Sequence, residues 1–421
     1  MSKSRFFYTL VLYLLLPFIP FRLLWRARKQ PAYLQHWFER FGYYQTQTSS
    51  PPAPLIWIHA VSVGETRASA PLIDALQARY PQHKILLTHM TPTGRETGLA
   101  LFGTRVNQVY LPYDLPGAVR RFLTHFKPTF GLLIETELWP NLIAACRYRS
   151  IPLALINARL SERSAHGYSR FTWLAALSRE ALSSLTFVCA QTPADAERLK
   201  QLGALAVSVT GNIKFDVVPP AESVDLRKLW GAERAVILAA STREGEEALL
   251  LNALDTAIPK QLLVIVPRHP QRFNAVATLL AARAIRFQRR SENVPIRADT
   301  QVVLGDSMGE MFAYYAAADV AIIGGSLLPF GGQNLIEACA MGVPVIVGTH
   351  TFNFSQVAED AIASGAALRT ADANTALALA QHLLSDVTTH TQMAEAAFAY
   401  AAAWRGAVAK TMLLIEKKSP L

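Results

Sequence analysis

Carboxylates and cations recur in this chain just after short apolar runs, where a strand would hand over to a helix. Glu65 follows Ser62, Val63 and Gly64 at the end of the run 55–61 (LIWIHAV). A carboxylate at a helix start suits a general base for a hydroxyl near neutral pH, provided burial offsets the acidifying field of the helix N-terminus. Two alternatives stand beside that reading. Glu65 could serve only as a helix N-terminal charge contributing ~0.5 kcal/mol of stability, and His89, just before residues 91–96 (TPTGRE), is a rival base unless it is structural. Glu135 opens residues 135–141 (ETELWPN) and Lys214 lies in residues 211–216 (GNIKFD). Both would support reacting groups, Lys214 as a cation near developing negative charge. Arg95, in TPTGRE, is a further candidate.

A second series follows in the C-terminal half. Residues 241–244 (STRE) and 267–270 (PRHP, with Arg268 and His269) are joined by residues 305–310, which contain Met308, Gly309 and Glu310. Met308, Gly309 and Glu310 would open a helix whose N–H groups can hold phosphate, and Arg268 would add a charge-assisted contact. Residues 324–348 (GGSLLPFGGQNLIEACAMGVPVIVG) place glycine pairs on both sides of a loop. A helix over 334–341 follows, headed by Asn334 with Leu335, Ile336 and Glu337 in its first turn. This βαβ unit offers donors to an anion and puts Glu337 near its mouth. Taken singly, such residues are ordinary caps or solvated loop charges. As a set they sit at strand ends, which converge on one rim of an open α/β sheet.

The elements that must position them alternate regularly. Runs at 55–61, 84–88, 108–111, 129–134, 152–157, 187–190 and 206–210 read as buried strands, with helices over 65–80, 94–102, 117–126, 140–149 and 168–184. A turn-rich connection with Pro219, Pro220 and Glu222 precedes a second series. That series has strands at 235–241, 262–266, 302–304, 319–323 and 343–347, and helices at 245–257, 270–282 and 308–317. Strand–helix repetition of this kind gives parallel sheets covered on both faces. The expected fold is α/β: two Rossmann-like doubly wound domains facing across a cleft, over 31–220 and 221–421, with an Ala-rich helical tail from 393 to 416 in the second.

Composition agrees. The chain has 421 residues, 51% of them hydrophobic, more than one core accommodates. Its three cysteines form no CxxC pair, which argues for a reducing compartment and against a structural zinc site. A net charge of +10 implies an anionic partner. No run of Lys and Arg interleaved with aromatics occurs in the globular part, so nucleic acid is not expected.

Residues 1–30 read as a membrane anchor. Residues 6–21 (FFYTLVLYLLLPFIPF) carry no charge, and Pro17 and Pro20 bend them. Arg22, Arg26, Arg28 and Lys29 follow, where a signal peptide would show a small-residue cleavage site. The excess of positive charge behind the segment leaves the body of the protein in the cytoplasm and suits acidic headgroups.

The motifs VSVGE, TPTGRE, ETELWPN, GNIKFD, STREGEE, PRHPQRF, GDSMGEM and GGSLLPFGGQN, in that order, resemble those of the lipid A 3-deoxy-D-manno-octulosonic acid (Kdo) transferases. The resemblance covers nearly the whole chain. It implies a GT-B type inverting glycosyltransferase that moves Kdo from CMP-Kdo to a lipid A precursor (tetraacyldisaccharide bisphosphate, lipid IVA) in lipopolysaccharide biosynthesis. It also implies that no metal is required for transfer; with the anchor and its cations, the expected place is the cytoplasmic face of the inner membrane, with acidic inner-membrane lipids as partners. Glu65 is the base it points to. On the donor side it implies nucleotide binding by Arg268, His269, Met308, Gly309, Glu310, Asn334, Leu335, Ile336 and Glu337, with Glu337 accepting both ribose hydroxyls. Two other classes fit the residues. A sugar-nucleotide epimerase of the same fold would also need a carboxylate and a nucleotide pocket, but has no use for an anchor. A non-catalytic membrane-associated binding protein would have no need of Glu65.

Overall fold

A computed structural model describes residues 1–28, 30–45, 53–217, 224–231, 234–254 and 261–419. Lys29, Pro219, Pro220, Glu222 and Ala257, and with them the expected boundary at 220, lie outside the described residues. The chain divides into two compact units, Met1–Asp216 with Arg405–Leu421, and Val217–Trp404.

In the first unit, seven parallel strands form one sheet. They are β1 (Leu55–His59), β2 (Lys84–His89), β3 (Asn107–Tyr110), β4 (Phe130–Ile134), β5 (Leu153–Ala158), β6 (Phe187–Ala190) and β7 (Val207–Val209), in the order β3-β2-β1-β4-β5-β6-β7. β1 sits between β2 and β4, with Ile56 opposite Ile85 on one side and Phe130 on the other. Helices cover both faces, so β1, β4 and β5 are buried along their whole length and read as continuous apolar runs. Successive side chains still take opposite faces. Leu55 and Trp57 pack with Phe122 and Leu142, whereas Ile56 and Ile58 pack with Leu72 and Ile73.

The second unit repeats the plan with β8 (Ala235–Thr242), β9 (Gln261–Pro267), β10 (Phe287–Arg289), β11 (Val302–Leu304), β12 (Val320–Ile323), β13 (Val345–Val347) and β14 (Ala367–Arg369), ordered β10-β11-β9-β8-β12-β13-β14. In each sheet the winding direction reverses at one place, between β1 and β4 and between β8 and β12. Those are the switch points where open α/β sheets leave a crevice beyond their strand ends.

Several helices differ from the sequence expectation, each for a local reason. The helix over 65–80 is two, Val63–Ala68 and Ala70–Arg79. Pro71 has no N–H to continue the ladder and starts a new helix instead. The helix over 168–184 is also two, Glu162–Ser169 and Thr172–Ser183, because Phe171 is extended. The Ala-rich tail breaks at Gly406, whose φ is +97°, into Val387–Ala403 and Ala407–Lys418.

That last helix belongs to the first unit, not to the second as the sequence reading had it. Asp216 accepts hydrogen bonds from the Gly406 and Val408 N–H groups, both at 2.5 Å, and so caps it. Val408, Met412 and Ile415 then join the core beneath β1, each worth ~1.5–3 kcal/mol when fully buried.

The N-terminal segment is a bent pair and not a single anchor helix. Lys3–Leu15 and Phe18–Ala27 meet at 57°, and neither is long and apolar enough to cross a membrane alone. Phe6, Leu10, Leu14, Phe18, Phe21, Leu24 and Trp25 are exposed, while Thr9 and Leu23 are buried against the unit.

Candidate active site

Glu65 stands at the switch point of the first sheet, just beyond β1. Ser62 caps the helix Val63–Ala68, and Glu65 in its first turn reaches back over the cap. The Ser62 hydroxyl donates to Oε1 at 2.8 Å and the Val61 N–H to Oε2 at 2.7 Å. The side chain is 8% exposed. Burial, and after it the neighbouring Glu135 carboxylate, push its pKa up to about 7 against the pull of the Val61 and Ser62 donors. The group is therefore poised near neutrality, as a general base requires.

Glu135 lies across the same switch point, at the end of β4. Its backbone is left-handed, with φ +62°, a conformation costing a non-glycine residue ~1 kcal/mol or more. The surroundings impose it. Its N–H is held by the Ile156 carbonyl at 2.8 Å, and its Oε1 is ion-paired with the Lys214 ammonium at 2.6 Å. Asn157, also left-handed at φ +57°, is the last residue but one of β5 and accepts from the Ile213 N–H at 3.1 Å, which sets the turn carrying Lys214. The buried Nδ2 of Asn157 has no acceptor among the described residues. Glu137, also pushed up to about 7 by burial, takes a hydrogen bond from the Trp139 indole at 2.9 Å. Glu65, Glu135, Glu137 and Lys214 thus form one electrostatic group. Sequence reasoning names neither Glu137 nor Asn157 as a site residue, although Glu137 stands in ETELWPN and Asn157 closes the expected strand 152–157.

The two remaining first-unit candidates are otherwise engaged. His89 is fully buried, with Nδ1 3.2 Å from the Ala60 carbonyl and Nε2 3.0 Å from the Gln108 side-chain amide, and burial pulls its pKa down to about 4. It is a neutral core histidine. Arg95 forms an ion pair with Glu39 at 2.7 Å and donates to the Gln108 carbonyl at 3.1 Å. Glu39 also accepts from the Tyr110 N–H at 2.8 Å, so Arg95 fastens the turn Trp37–Phe41 to the edge strand β3.

In the second unit, Arg268, Arg243, His269 and Gln333 gather at the β8/β12 switch point. Arg268 Nε donates to Gln333 Oε1 at 3.2 Å, and Arg243 lies over the Phe330 ring with Nη1 3.3 Å from His269 Nε2. Burial and the arginines around it lower the His269 pKa, keeping the ring neutral. Asn334 accepts from the Ile336 N–H and donates to Glu337 Oε1, both at 3.1 Å. The helix it heads is shorter than expected, Ile336–Ala340, with Leu335 and Ile336 buried as packing residues. The helix expected from Met308 begins at Met311 instead. Met308 and Gly309 form the turn before it, and Glu310 is ion-paired with Arg290 at 3.0 Å.

The glycine-rich loop departs furthest from expectation. Gly324 has room for no side chain, because a Cβ would collide with the Ser241 carbonyl. The N–H groups of Gly325, Leu327 and Leu328 do not face an open anion site. They donate to the fully buried carboxylate of Glu246, at 2.6, 3.0 and 3.4 Å, which also takes the Arg243 N–H at 2.8 Å. A protein carboxylate occupies the place the sequence reading had kept for a ligand.

Comparison with known proteins fixes what this arrangement belongs to. Residues 35–217 match the family model of 3-deoxy-D-manno-octulosonic-acid transferase (kdotransferase), and residues 249–400 that of group 1 glycosyl transferases. A 3-deoxy-D-manno-octulosonic acid transferase of Bordetella pertussis is 46% identical over 98% of this chain and 99% of its own length. One from Haemophilus influenzae is 43% identical over 84% of each. In three dimensions the chain is similar to a putative UDP-N-acetylglucosamine 2-epimerase of Listeria monocytogenes, with a TM-score of 0.58 and 17% identity over 86% of this chain and 95% of that one. At that identity the likeness concerns the fold alone, so transferase and epimerase are separated by the close relatives and not by the architecture. On those relatives the chain belongs to the 3-deoxy-D-manno-octulosonic acid transferase family and is a glycosyltransferase of the GT-B type.

Proposed function

We propose that the chain transfers Kdo from CMP-Kdo to a hydroxyl of a lipid A precursor, the tetraacyldisaccharide bisphosphate, with Glu65 as general base. The observation that carries this reading is a buried carboxylate with a pKa pushed up to about 7 at a sheet switch point. Glu65 takes the proton of the acceptor hydroxyl as its oxygen bonds to the anomeric carbon of Kdo. The bond from that carbon to the phosphate oxygen breaks on the opposite side, inverting the centre, and CMP leaves with the electron pair. Lys214 neutralises Glu135, so that Glu65 can still ionise near neutral pH. For the donor, Arg268 and His269 are suited to phosphate, and Glu337, steadied by Asn334, to the ribose hydroxyls. Met308, Gly309 and Glu310 supply the adjoining turn. No cofactor beyond the donor is assigned.

The same reading places the protein on the cytoplasmic face of the inner membrane. The bent helix pair turns its aromatic and aliphatic side chains outward. Arg22, Arg26 and Arg28 would each add ~1 kcal/mol on acidic lipid.

The test is Glu65→Gln, which keeps the shape of the side chain. CMP binding and melting should stay near wild type, while transfer from CMP-Kdo to the tetraacylated precursor, read by product mass, falls ~100-fold or more. Near-normal turnover would remove Glu65 from the mechanism.

A further inference from the structure

An apolar N-terminal helix that served only to hold the protein on a surface would need no particular rotation against the body it anchors. Lys3–Leu15 has one. The Tyr8 hydroxyl donates to Asp114 Oδ2 at 3.0 Å. The Thr9 hydroxyl lies 3.1 Å from Asn141 Oδ1, sharing its proton with the Arg5 carbonyl at 2.8 Å. Arg5 forms an ion pair with Glu180 at 3.0 Å, and Phe7 sets its ring edge-on to Trp173. Thr9, Asp114 and Asn141 are all buried. Buried hydrogen bonds are directional, so this joint fixes the register and rotation of the helix where apolar contacts would tolerate slippage.

The residues on the far side of the joint do more than receive it. Asp114 caps the helix Pro140–Tyr148 from a distance, accepting from the Asn141 N–H at 2.9 Å and the Leu142 N–H at 2.8 Å. Trp139, which precedes that helix, offers no side-chain cap of its own. The Asp114 carbonyl in turn takes the Asn141 side-chain amide at 2.7 Å. The start of this helix is the downstream end of residues 135–139, whose upstream end leaves β4 at the left-handed Glu135. Within those five residues Trp139 holds Glu137, and its ring edge faces His59 at 5.9 Å. Glu135 and Glu137 are the two carboxylates that raise the pKa of Glu65.

We infer that the N-terminal helix positions the loop 135–139, with Tyr8 and Thr9 as positioning residues that act through Asp114 and Asn141. The inference rests on the reading of Glu65 as general base, since it is the carboxylates around Glu65 that the loop carries. Detaching or rotating the helix lets the start of Pro140–Tyr148 shift, and Glu137 and Glu135 shift with it. Misplacement of such groups by ~1 Å is enough to cost up to ~100-fold in turnover.

Tyr8→Phe and Thr9→Val remove the hydroxyls and keep both the shape and the apolar character of the helix. The full chain carrying each change, and both, is assayed in detergent micelles well below its melting temperature, with CMP-Kdo and the tetraacylated precursor. Glu65→Gln is run alongside. The double variant should lose ~10-fold in kcat, keep the donor KM, and still sediment with anionic vesicles. A helix that only docks would lower the melting temperature of the double variant and leave kcat unchanged. That result overturns the inference. Full activity in Glu65→Gln would overturn the base reading instead, and the two failures are separately visible. Tyr8→Phe alone, the milder change, should already lower kcat measurably if the joint acts as described.

Discussion

The ammonium of Lys214 lies 2.6 Å from Oε1 of Glu135, joining the turn after β7 to the end of β4. The pair is part-exposed, so as a surface salt bridge its contribution to stability is small. Its electrostatic effect on Glu65 is the larger consequence. Glu135 already raises the Glu65 pKa with Lys214 in place. Lys214→Met leaves that carboxylate without its cation, so the pKa of Glu65 rises further. The acid limb of the kcat/KM profile should move up by ~1 pH unit, with a loss of kcat/KM of up to ~10-fold at neutral pH. A profile unmoved by the substitution would detach Lys214 from the base.

The pH dependence of the wild-type protein follows from the same groups. Glu65 and Glu137 both shift from their usual 4.5 to about 7 in the folded protein. On the proposed mechanism the ionised Glu65 is the working form, so kcat/KM should rise with pH through an inflection near about 7. For stability the sign is opposite. A folded pKa above the unfolded one means that folding favours the protonated carboxyl. Their contribution is complete below about 4.5 and is lost as pH rises through about 7. Melting curves at intervals over that window should show a shallower decline in Glu65→Gln than in wild type.

Glu246 carries the architecture of the glycine-rich loop. Its carboxylate takes four backbone N–H groups. Glu246→Ala leaves them buried and unpaired, at ~1–3 kcal/mol for each donor that water fails to reach. Denaturant unfolding should show a loss of ~3 kcal/mol or more, with a parallel loss of CMP affinity because Gly325 and Gln333 move. An unchanged midpoint would mean that the loop is held by other contacts.

Much of this was legible in the sequence because parallel strands buried on both faces leave apolar runs bounded by turn residues. β1, β4, β5, β8, β9 and β12 all have that form. Short strands at sheet margins do not, and β10 and β14, three residues each, were missed. That Glu65, Glu135 and Lys214 come together was legible because strand ends in such folds converge. What the sequence hid are partners chosen by tertiary contact. Arg95 looks like a site cation until Glu39, 56 residues away, is seen to hold it. The glycine pair looks like an anion cradle until Glu246, 79 residues from Gly325, fills it. The last helix is Ala-rich and equally helical on either unit, and only Asp216 and the apolar stripe of Val408, Met412 and Ile415 assign it.

The residues proposed for the donor side divide into polar side chains and buried supports, and the proposal can be tested on CMP alone. Glu337 and Arg268 carry polar atoms at the β8/β12 switch point, each steadied by a neighbouring amide, Asn334 for one and Gln333 for the other. Glu337→Ala and Arg268→Ala should each weaken CMP binding by ~1–3 kcal/mol, the range for hydrogen bonds to charged groups. Their melting temperatures should change little, because neither side chain is part of the core. Leu335 and Ile336, both buried, should behave in the opposite way. Ile336→Val removes one methylene from the core, costs ~0.5–1.5 kcal/mol of stability, and leaves CMP affinity nearly intact. Calorimetric titration and thermal melts on the same three preparations give both quantities. If CMP affinity were unchanged in both Glu337→Ala and Arg268→Ala, the nucleotide would have to be held by other residues, and the assignment of this switch point to the donor would fall.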